Sequence, residues 1–286
     1  MRYTIKDFKK DFPDDKACLA HIFKKRYPEG LKCPKCGKSA FHPVANRRSY
    51  ACACGYQTYP TEGTIFHKSP TPLTMWFHAI FMMSQSKNGV AAKELERHLG
   101  VTYKCAWRIA KQIRMLMKQS PDPLDGKEII ELDETYIGGV RRGKRGRGAA
   151  GKTPVFGAVE RKGKVKTRTV KNVKQVTLMP LIQTMVPPSS VITTDESNSY
   201  NKVRSIGHLH ETVNHGNGQY VQGDVHTNTI ESFWSQFKRS VHGTFHAVSP
   251  KYLQTYLDEF SFRYNHRGVL IPAVMFSRVG MPAKAA

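Results

Sequence analysis

The order of strand and helix patterns from Lys127 onward limits the possible folds more than any other feature of this sequence. Short apolar runs typical of strands come first, a helical stretch and two further strands follow, and the chain then continues as helices with apolar stripes. This order predicts an α/β fold in which helices are layered on a mixed sheet. The predicted strands lie in 127–139, 155–170 (a hairpin turning at Lys162 and Gly163), 189–200 and 208–215, and the predicted helices in 175–186, 228–241 and 249–267.

The segment from Thr71 to Ser120 has a helical pattern and ends at a proline-rich break, residues 120–126. Its last two predicted helices are interrupted at 100–102, with apolar residues spaced on either side as in a helix-turn-helix. Basic side chains on the outer side of the second helix would then approach DNA, whereas a plain helical hairpin with solvated lysines is the alternative. These basic residues are Lys104, Arg108, Lys111 and Arg114.

Four of the six cysteines lie within 22 residues and predict a metal site. Cys33 and Cys36 form a C-x-x-C pair followed by glycine, a turn that lets two thiolates meet one zinc ion. Cys52 and Cys54 form a tighter C-x-C pair, so His42 is a possible substitute ligand. We expect a zinc ribbon with one structural Zn²⁺, since four protein ligands leave no open position for chemistry; four free thiols without metal are the alternative.

The chain of 286 residues carries 45 Lys and Arg against 22 Asp and Glu, a formal charge of +23. Thirteen of the basic residues fall between Arg141 and Lys174, where Glu160 is the single acid. Such an excess favours a polyanionic partner, because each neutralised phosphate releases a condensed counterion. No apolar run would span a bilayer and the N-terminus lacks the apolar core of a signal peptide, so we expect a cytoplasmic, nucleoid-associated protein without a membrane partner.

Three acids near the ends of predicted elements are candidate ligands of a second metal site. Asp133 is expected to end the first strand, Asp195 to end a later strand, and Glu231 to lie near the start of a helix. Carboxylates from different elements suit Mg²⁺, and two such ions support an in-line displacement at phosphorus. Glu131 and Glu196 are nearby acids and remain alternatives for the first two positions.

Glu231 also fits a purely structural role. The sequence from Asn228 to Glu231 matches a capping box, in which Asn228 is the N-cap and Glu231 reaches back to its amide. Lys238 lies two helical turns beyond Glu231 on the same face and would approach DNA lying over the metal ions. Both interpretations can hold together, because a carboxylate near a helix N-terminus is well placed for either use.

Several segments of the chain resemble a known family. "LDETYIGG", "TTDESNSY" and the helical stretch from "HTNTIESFWSQFKR" to "RYNHR" resemble the catalytic domain of the IS1595-type (ISXO2-like) insertion-sequence transposases. "CPKCG", "GTIFHKSPTPLTMWF" and "HLGVTYKCAWRIAKQIR" resemble that family's zinc ribbon and helix-turn-helix. The resemblance implies an RNase H-like fold, DNA cut-and-join activity and a DDE-type metal site made of Asp133, Asp195 and Glu231, with Lys238 as the accompanying cation.

Two points of that resemblance stay open. Some members of the group use Asn where others use Glu as the third ligand, so Asn228 is an alternative to Glu231. The C-x-C pair of Cys52 and Cys54 departs from the family pattern and affects the expected geometry of the ribbon rather than the catalytic site.

The resulting hypothesis is a DNA transposase in three segments: 1–66 (helical lead-in and zinc ribbon), 67–120 (helix-turn-helix) and 121–286 (RNase H-like catalytic domain). We expect it to bind terminal inverted repeats and target DNA as a homodimer or larger assembly, and to cut and join strands with two Mg²⁺ (or Mn²⁺) ions. Alternatives are a non-catalytic zinc-ribbon and helix-turn-helix regulator, or an RNase H-like nuclease without strand transfer. Further contacts to phosphates are expected from Arg141, Arg142, Lys144, Arg145 and Arg239.

Overall fold

The computed structural model describes residues 2–138, 151–213 and 226–283. The chain forms two compact units, one made of Met1–Met117 with Gly268–Ala286 and the other of Lys118–Arg267. The helices are α1 (Ile5–Asp11), α2 (Asp15–Arg26), α3 (Leu73–Gln85), α4 (Ala92–Leu99), α5 (Tyr103–Met115), α6 (Gln175–Met185), α7 (Asn228–Ser240), α8 (Leu253–Asn265) and α9 (Ile271–Ser277). The strands are β1 (Phe41–Pro43), β2 (Tyr50–Cys52), β3 (Gln57–Thr58), β4 (Ile130–Ile137), β5 (Thr153–Glu160), β6 (Val165–Thr169), β7 (Val191–Asp195) and β8 (Leu209–Val213). Within the described residues, no helix is both long enough and apolar enough to cross a bilayer.

The first unit contains a small antiparallel sheet, β1-β2-β3, and a core rich in aromatic rings. Phe12 and Phe77 pack with ring centroids 4.7 Å apart, and Phe276 of α9 lies 4.8 Å from Phe12 and 5.6 Å from Phe77. The ring nitrogen Nε2 of His21 is 2.9 Å from the carbonyl oxygen of Phe276. The C-terminal stretch therefore completes the core of the first unit, whereas the sequence pattern places it in the third segment, 121–286.

The two helices α4 and α5 are joined by a short turn at the predicted break. Gly100 ends α4 with φ of 63°, a left-handed conformation that favours glycine. Thr102 then caps α5, because its side-chain oxygen accepts the backbone N–H of Cys105. Arg114 is only 3% exposed, so its predicted position on the outer side of the second helix is wrong. The predicted apolar residues on both helices are buried: Leu95, Leu99, Ala106, Ile109 and Ile113.

The start of α3 is stabilised by residues from other elements. No side chain of its own caps the helix, and the carboxylate of Asp15 accepts the backbone N–H groups of Leu73 (2.9 Å) and Thr74 (2.8 Å). The Thr74 hydroxyl donates to the same carboxylate at 2.9 Å. Arg48 lies 3.6 Å from that carboxylate and donates to the carbonyl of Thr71, just before the helix, at 2.6 Å. At this helix end, the acid thus accepts the free backbone N–H groups and the arginine donates to a carbonyl that precedes the helix.

The second unit is built on a mixed five-stranded sheet with the order β6-β5-β4-β7-β8. β4, β5 and β6 pair antiparallel, while β4, β7 and β8 pair parallel. The predicted strands are present, and β5 and β6 form the predicted hairpin. However, β4 continues four residues beyond Asp133 to Ile137. The prediction that Asp133 ends its strand is therefore wrong, because β5 keeps pairing with β4 after β7 has separated from it.

Helices cover both faces of this sheet. On one face, α6 packs Leu178 and Ile182 against Leu132 and Phe156 of the sheet. On the other face, α7 and α8 pack against Val155 and Val159, with Trp234 and Phe237 among the α7 side chains buried there. The observed architecture is a mixed α/β structure with helices layered on a mixed sheet, as the sequence pattern predicts.

Gly157 of β5 lets α7 lie close to the sheet. It pairs with Asp133 in the β4–β5 register. A Cβ atom at this position would lie 2.5 Å from the ring of Trp234 and 3.1 Å from Ile230. Any larger residue would push the helix away from the strand that carries Asp133.

Candidate functional site

An open cleft of about 450 Å³ lies in the second unit where β4 and β7 separate. The last parallel pair of these strands is Glu131 with Thr193. Asp133 and Asp195 each lie two residues beyond that pair, and side chains two residues apart point to the same face of a sheet. The strand register therefore explains why the two aspartates are neighbours. The cleft is lined by Asp133, Glu134, Tyr136, Asp195, Glu196, Ser197 and Asn198.

Asp133 lies in a strongly negative environment. The pKa of its carboxyl is raised to about 8, first by burial and then by the negative charges of Glu134, Asp195 and Glu231, while the Glu134 backbone N–H acts in the opposite direction. Asp195 and Glu231 are therefore both close enough to Asp133 to act on it electrostatically. Such a cluster of carboxylates is unfavourable unless a proton or a cation offsets the repulsion.

Asp195 and its neighbours form the second wall of the cleft. One Asp195 carboxylate oxygen accepts the backbone N–H of Ser197 at 3.1 Å, so the acid also supports the turn after β7. Glu196 is exposed and lines the cleft too, which keeps it as an alternative to Asp195. The structural role of Asp195 therefore leaves its chemical interpretation possible, since its carboxylate also lines the cleft.

Glu134 is an acid of this cleft that the sequence interpretation did not select. Its carboxylate accepts a hydrogen bond from the hydroxyl of Tyr200, which is fully buried after β7. Burial and the neighbouring carboxylates raise the pKa of Tyr200 well above its ordinary value, so the phenol stays a donor. The adjacent position of Glu134 in "LDETYIGG" was the available signal, but strand alternation places it on the opposite face from Asp133.

Glu231 projects from the first turn of α7. It is exposed, and one of its carboxylate oxygens accepts the Thr227 hydroxyl at 2.7 Å. The capping box that the sequence predicts is absent: Thr227 rather than Asn228 is the N-cap, and no side chain of the helix makes a cap hydrogen bond. Asn228 is the first helical residue and is exposed, so it remains an alternative ligand.

The missing cap is supplied by Glu131. Its carboxylate accepts the backbone N–H groups of Thr229 at 2.8 Å and of Ile230 at 3.0 Å, together with the Thr229 hydroxyl at 2.8 Å. The side chain is 0% exposed. Glu131 is therefore occupied at the base of α7, and this weighs against its alternative role as a ligand beside Asp195.

Arg161, which follows β5, completes this arrangement. Its Nε donates to the Glu131 carboxylate at 2.7 Å, and its Nη2 donates to the carbonyl of His226 at 2.9 Å. The imidazole Nδ1 of His226 lies 3.3 Å from the same carboxylate. The buried negative charge of Glu131 thus has a permanent cation next to it, which burial of a carboxylate requires.

Lys238 and Arg239 lie two turns further along α7. Burial lowers the pKa of Lys238, while the negative charge of Asp133 acts in the opposite direction and the charge of Lys152 acts with burial. Lys238 is half-buried and close enough to Asp133 to respond to its charge, whereas Arg239 is exposed. The helix therefore carries an acid at its start, Glu231, and a cation near its end, Lys238, that are both close enough to Asp133 for their charges to interact.

The four cysteines converge in the first unit. In the described residues they form the one group of three or more candidate ligands whose atoms all lie within 4.8 Å of one another. Gly37 and Gly55 close the two turns, and both have positive φ. The N–H of Gly37 donates to the carbonyl of Cys33, four residues earlier, whereas the N–H of Gly55 donates to that of Cys52, three residues earlier. The tighter second turn accommodates the shorter C-x-C spacing. His42 lies outside this group. The group consists of Cys33, Cys36, Cys52 and Cys54.

Three of the residues predicted to bind DNA lie on α5, apart from Arg239 of α7. Lys104 is exposed on α5, Lys111 lies 5.8 Å from the centre of the Trp107 ring, and Arg108 is within 3.5 Å of the His67 carbonyl. Only Lys104 of these three is fully available to solvent. Arg141, Arg142, Lys144 and Arg145 lie outside the described residues.

Comparison with known proteins gives matches over both units. Residues 123–265 match the ISXO2-like transposase domain, and residues 13–57 match the transposase zinc-ribbon domain. An uncharacterized protein in transposable element ISH50 of Halobacterium salinarum is 26% identical over 275 residues, covering 89% of this chain and 92% of that protein. An uncharacterized transposase-like protein of Haemophilus influenzae is 31% identical over 105 residues, covering 37% of this chain and 84% of that protein.

Among solved structures, a pre-cleavage Mos1 transpososome is similar with a TM-score of 0.28 and 12% identity, covering 73% of this chain and 79% of that chain. At that score the two folds share too little for an inference about function.

Proposed function

The chain belongs to the ISXO2-like transposase family, and we propose that it binds the terminal inverted repeats of an insertion sequence and catalyses metal-dependent strand cleavage and strand transfer. The observation that carries this proposal is the meeting of Asp133 and Asp195 where β4 and β7 separate, with Glu231 of α7 close enough to act on Asp133. The mixed sheet, with helices on both faces, supports an RNase H-like fold for the second unit.

Asp133, Asp195 and Glu231 would hold two Mg²⁺ or Mn²⁺ ions. Their fit to such ions rests on the donor set, because three carboxylates from separate elements supply hard oxygen ligands and a concentrated negative charge. Bound Mg²⁺ would polarise a phosphodiester and lower the pKa of an attacking water or 3′-hydroxyl. Thr227 would orient the Glu231 carboxylate through its hydrogen bond, and Lys238 would contact a phosphate near Asp133.

The remaining basic residues would bind DNA outside the reacting phosphate. We assign the outer face of α5, with Lys104, Arg108 and Lys111, to recognition of the terminal repeats as a helix-turn-helix. Arg239 and the basic segment with Arg141, Arg142, Lys144 and Arg145 would contact phosphates without reading bases. Since two element ends are processed together, we propose a homodimer or larger assembly on DNA, working at the nucleoid in the cytoplasm.

The zinc ribbon would bind one structural Zn²⁺ through Cys33, Cys36, Cys52 and Cys54. The fit rests on the convergence of four sulfur atoms, the ligand set of structural zinc sites. Elemental analysis of protein purified without chelator is expected to give about one zinc per chain. Cys54→Ser is expected to lose it and His42→Ala to keep it; a folded, zinc-free wild-type protein would remove this assignment.

The test of the main proposal is a cleavage assay on labelled DNA that carries the element ends with flanking sequence. We expect Mg²⁺-dependent nicking at the ends, which EDTA or Asp133→Asn abolishes. A pre-cut end with a free 3′-hydroxyl, incubated with target plasmid, then tests joining. Cleavage without joining would identify a nuclease, and binding without metal-dependent cleavage would identify a regulator.

A further inference from the structure

We infer that Glu131 is a positioning residue for the proposed metal site: its buried carboxylate holds the start of α7, and with it Glu231, against the strand that carries Asp133. The inference rests on the proposed function, because it assigns Glu131 a part in the geometry of that site. Glu131 touches neither the cleft nor a reacting group in this assignment, and it acts only through α7.

The hydrogen bonds join the two elements by a short and stiff path. On one side, Glu131 and Asp133 lie two residues apart on the same face of β4. On the other side, the N–H groups of Thr229 and Ile230 that bind Glu131 directly precede Glu231 in α7. Two candidate ligands that lie far apart in the sequence are thereby linked through one carboxylate.

The link is protected from water. Glu131 is 0% exposed and the Arg161 side chain only 14%, so solvent does not compete effectively for these hydrogen bonds. Arg161 also holds the carbonyl of His226, the residue that precedes the N-cap of α7. Both the N–H side and the C=O side of the helix start are therefore fixed, so the first turn of α7 has little freedom to move.

The chemistry of the carboxylate is specific. Glu131 accepts two backbone N–H groups, one hydroxyl and one guanidinium N–H. A glutamine in its place has one accepting oxygen. Its amide N–H₂ would face either the two backbone N–H groups or the Arg161 guanidinium, which can only donate. Glu131→Gln is therefore expected to keep the volume of the side chain while loosening the start of α7.

The chain offers a matched control in Glu259 of α8. Glu259 is also 0% exposed and pairs with an arginine, Arg263, at 2.6 Å. It belongs to the same unit, and this ion pair lies within one helix, so the pair itself does not connect α7 to β4. Glu259→Gln therefore reports what loss of a buried carboxylate does to the unit without altering the proposed link.

The experiment compares Glu131→Gln and Glu259→Gln in the full-length protein by two readouts. The first is Mn²⁺ affinity without DNA, measured by electron paramagnetic resonance, with Asp133→Asn defining binding elsewhere. The second is the cleavage rate at saturating DNA, with the Kd for DNA measured separately. We expect Glu131→Gln to weaken Mn²⁺ binding and to slow cleavage, each by about tenfold, as loss of a residue that orients metal ligands does. The Kd for DNA and both values in Glu259→Gln are expected to change by less than about twofold.

Equal losses of Mn²⁺ affinity and cleavage rate in Glu131→Gln and Glu259→Gln would overturn the inference. If Glu131 only stabilised the fold, both readouts would fall in step with the stability of the unit in both variants. If Glu131→Gln does not fold, Thr229→Val removes one hydrogen bond to the intact Glu131 carboxylate and is expected to weaken Mn²⁺ binding about threefold. An unchanged Mn²⁺ affinity in that variant would also overturn it.

The two readouts separate this inference from the proposed function. A wild-type protein that binds Mn²⁺ at the acids but cleaves no DNA would refute the proposed cleavage, and the Mn²⁺ comparison would still decide the role of Glu131. A wild-type protein that neither binds Mn²⁺ nor cleaves DNA would refute both.

Discussion

The starts of α3 and α7 use the same arrangement in two different surroundings. Neither helix has a side-chain cap of its own, and each is capped by an acid from a distant element, Asp15 for α3 and Glu131 for α7. In both, the second helical residue is a threonine whose hydroxyl donates to that acid, at 2.9 Å in α3 and 2.8 Å in α7. In both, an arginine beside the acid donates to a carbonyl that precedes the helix.

The surroundings differ in exposure and in what the helix carries. The Asp15 side chain is 42% exposed and its arginine lies 3.6 Å away, whereas Glu131 is 0% exposed with its arginine at 2.7 Å. α3 contains no acidic residue, while α7 carries Glu231 in its first turn and Lys238 near its end. One capping arrangement thus serves both a partly exposed helix start, that of α3, and a buried one, that of α7.

The largest expected effect concerns the acid that α7 carries and α3 lacks. Glu231→Gln is expected to lower DNA cleavage at least about a thousandfold, because it removes a charge that, in the proposed site, would hold a divalent cation. Folding and DNA affinity should change little, since Gln still accepts the Thr227 hydroxyl. The measurement is single-turnover cleavage in Mg²⁺.

Asn228→Ala is the matched control for that variant, because Asn228 is the exposed alternative ligand on the same turn. Near-normal cleavage by Glu231→Gln together with loss of cleavage by Asn228→Ala would move the third ligand to Asn228. Asn228 rather than Glu231 would then be the α7 residue that takes part in cleavage.

The next effect concerns the stability of the second unit. Glu131→Gln is expected to lower its free energy of unfolding by about 3 kcal/mol, because Arg161, whose side chain is only 14% exposed, loses the carboxylate beside it. Amide hydrogen exchange of Thr229 and Ile230, the two groups that donate to Glu131, gives the local measurement. Protection of both amides at the wild-type level would show that glutamine caps the buried start of α7 as well as Glu131 does.

A smaller loss is expected from crowding α7 against the sheet. Gly157→Ala places a Cβ atom 2.5 Å from the Trp234 ring, and overpacking of this kind costs about 2 kcal/mol. Since the displaced helix carries Glu231, cleavage should fall as well. Gly243→Ala is the control, because a Cβ atom there meets nothing within 4 Å, and its urea midpoint should stay near that of the wild type. Equal midpoints for both variants would mean that α7 tolerates displacement.

The smallest effect is expected at the exposed cap. Asp15→Asn should cost the first unit about 1 kcal/mol, because asparagine remains a good acceptor and solvent screens the interaction with Arg48. The cleavage rate should not change. A loss as large as that of Glu131→Gln, measured by amide exchange at Leu73 and Thr74, would contradict the role given to burial.

Much of the architecture could be predicted from local patterns. The alternation of apolar and polar residues predicts β4 through β8, and the apolar stripe of α7 is buried as its spacing indicates. The convergence of the four cysteines also follows from their spacing. In each case the information lies within a window of neighbouring residues.

The features that could not be predicted depend on pairings between distant segments. The capping box at Asn228 is a sound local pattern, but the Glu231 N–H that it requires donates to the Thr227 carbonyl at 3.1 Å. Glu131, 98 residues earlier than Thr229, caps the helix through the N–H groups of Thr229 and Ile230 instead. Asp133 looks like the end of a strand because the polar residues begin there, yet continued pairing with β5 extends β4 to Ile137. The proximity of Glu231 to Asp133 likewise follows from this packing rather than from either local sequence.

The position of α9 bears on how the chain folds during synthesis. The core of the first unit includes Phe276, which packs against Phe12 and Phe77 although the whole second unit is translated between them. Until α9 leaves the ribosome, the rings that it covers remain exposed to water, whereas the second unit already has its complete set of strands and helices. A nascent chain that stalls before α9 would therefore expose an unfinished aromatic core to chaperones and proteases.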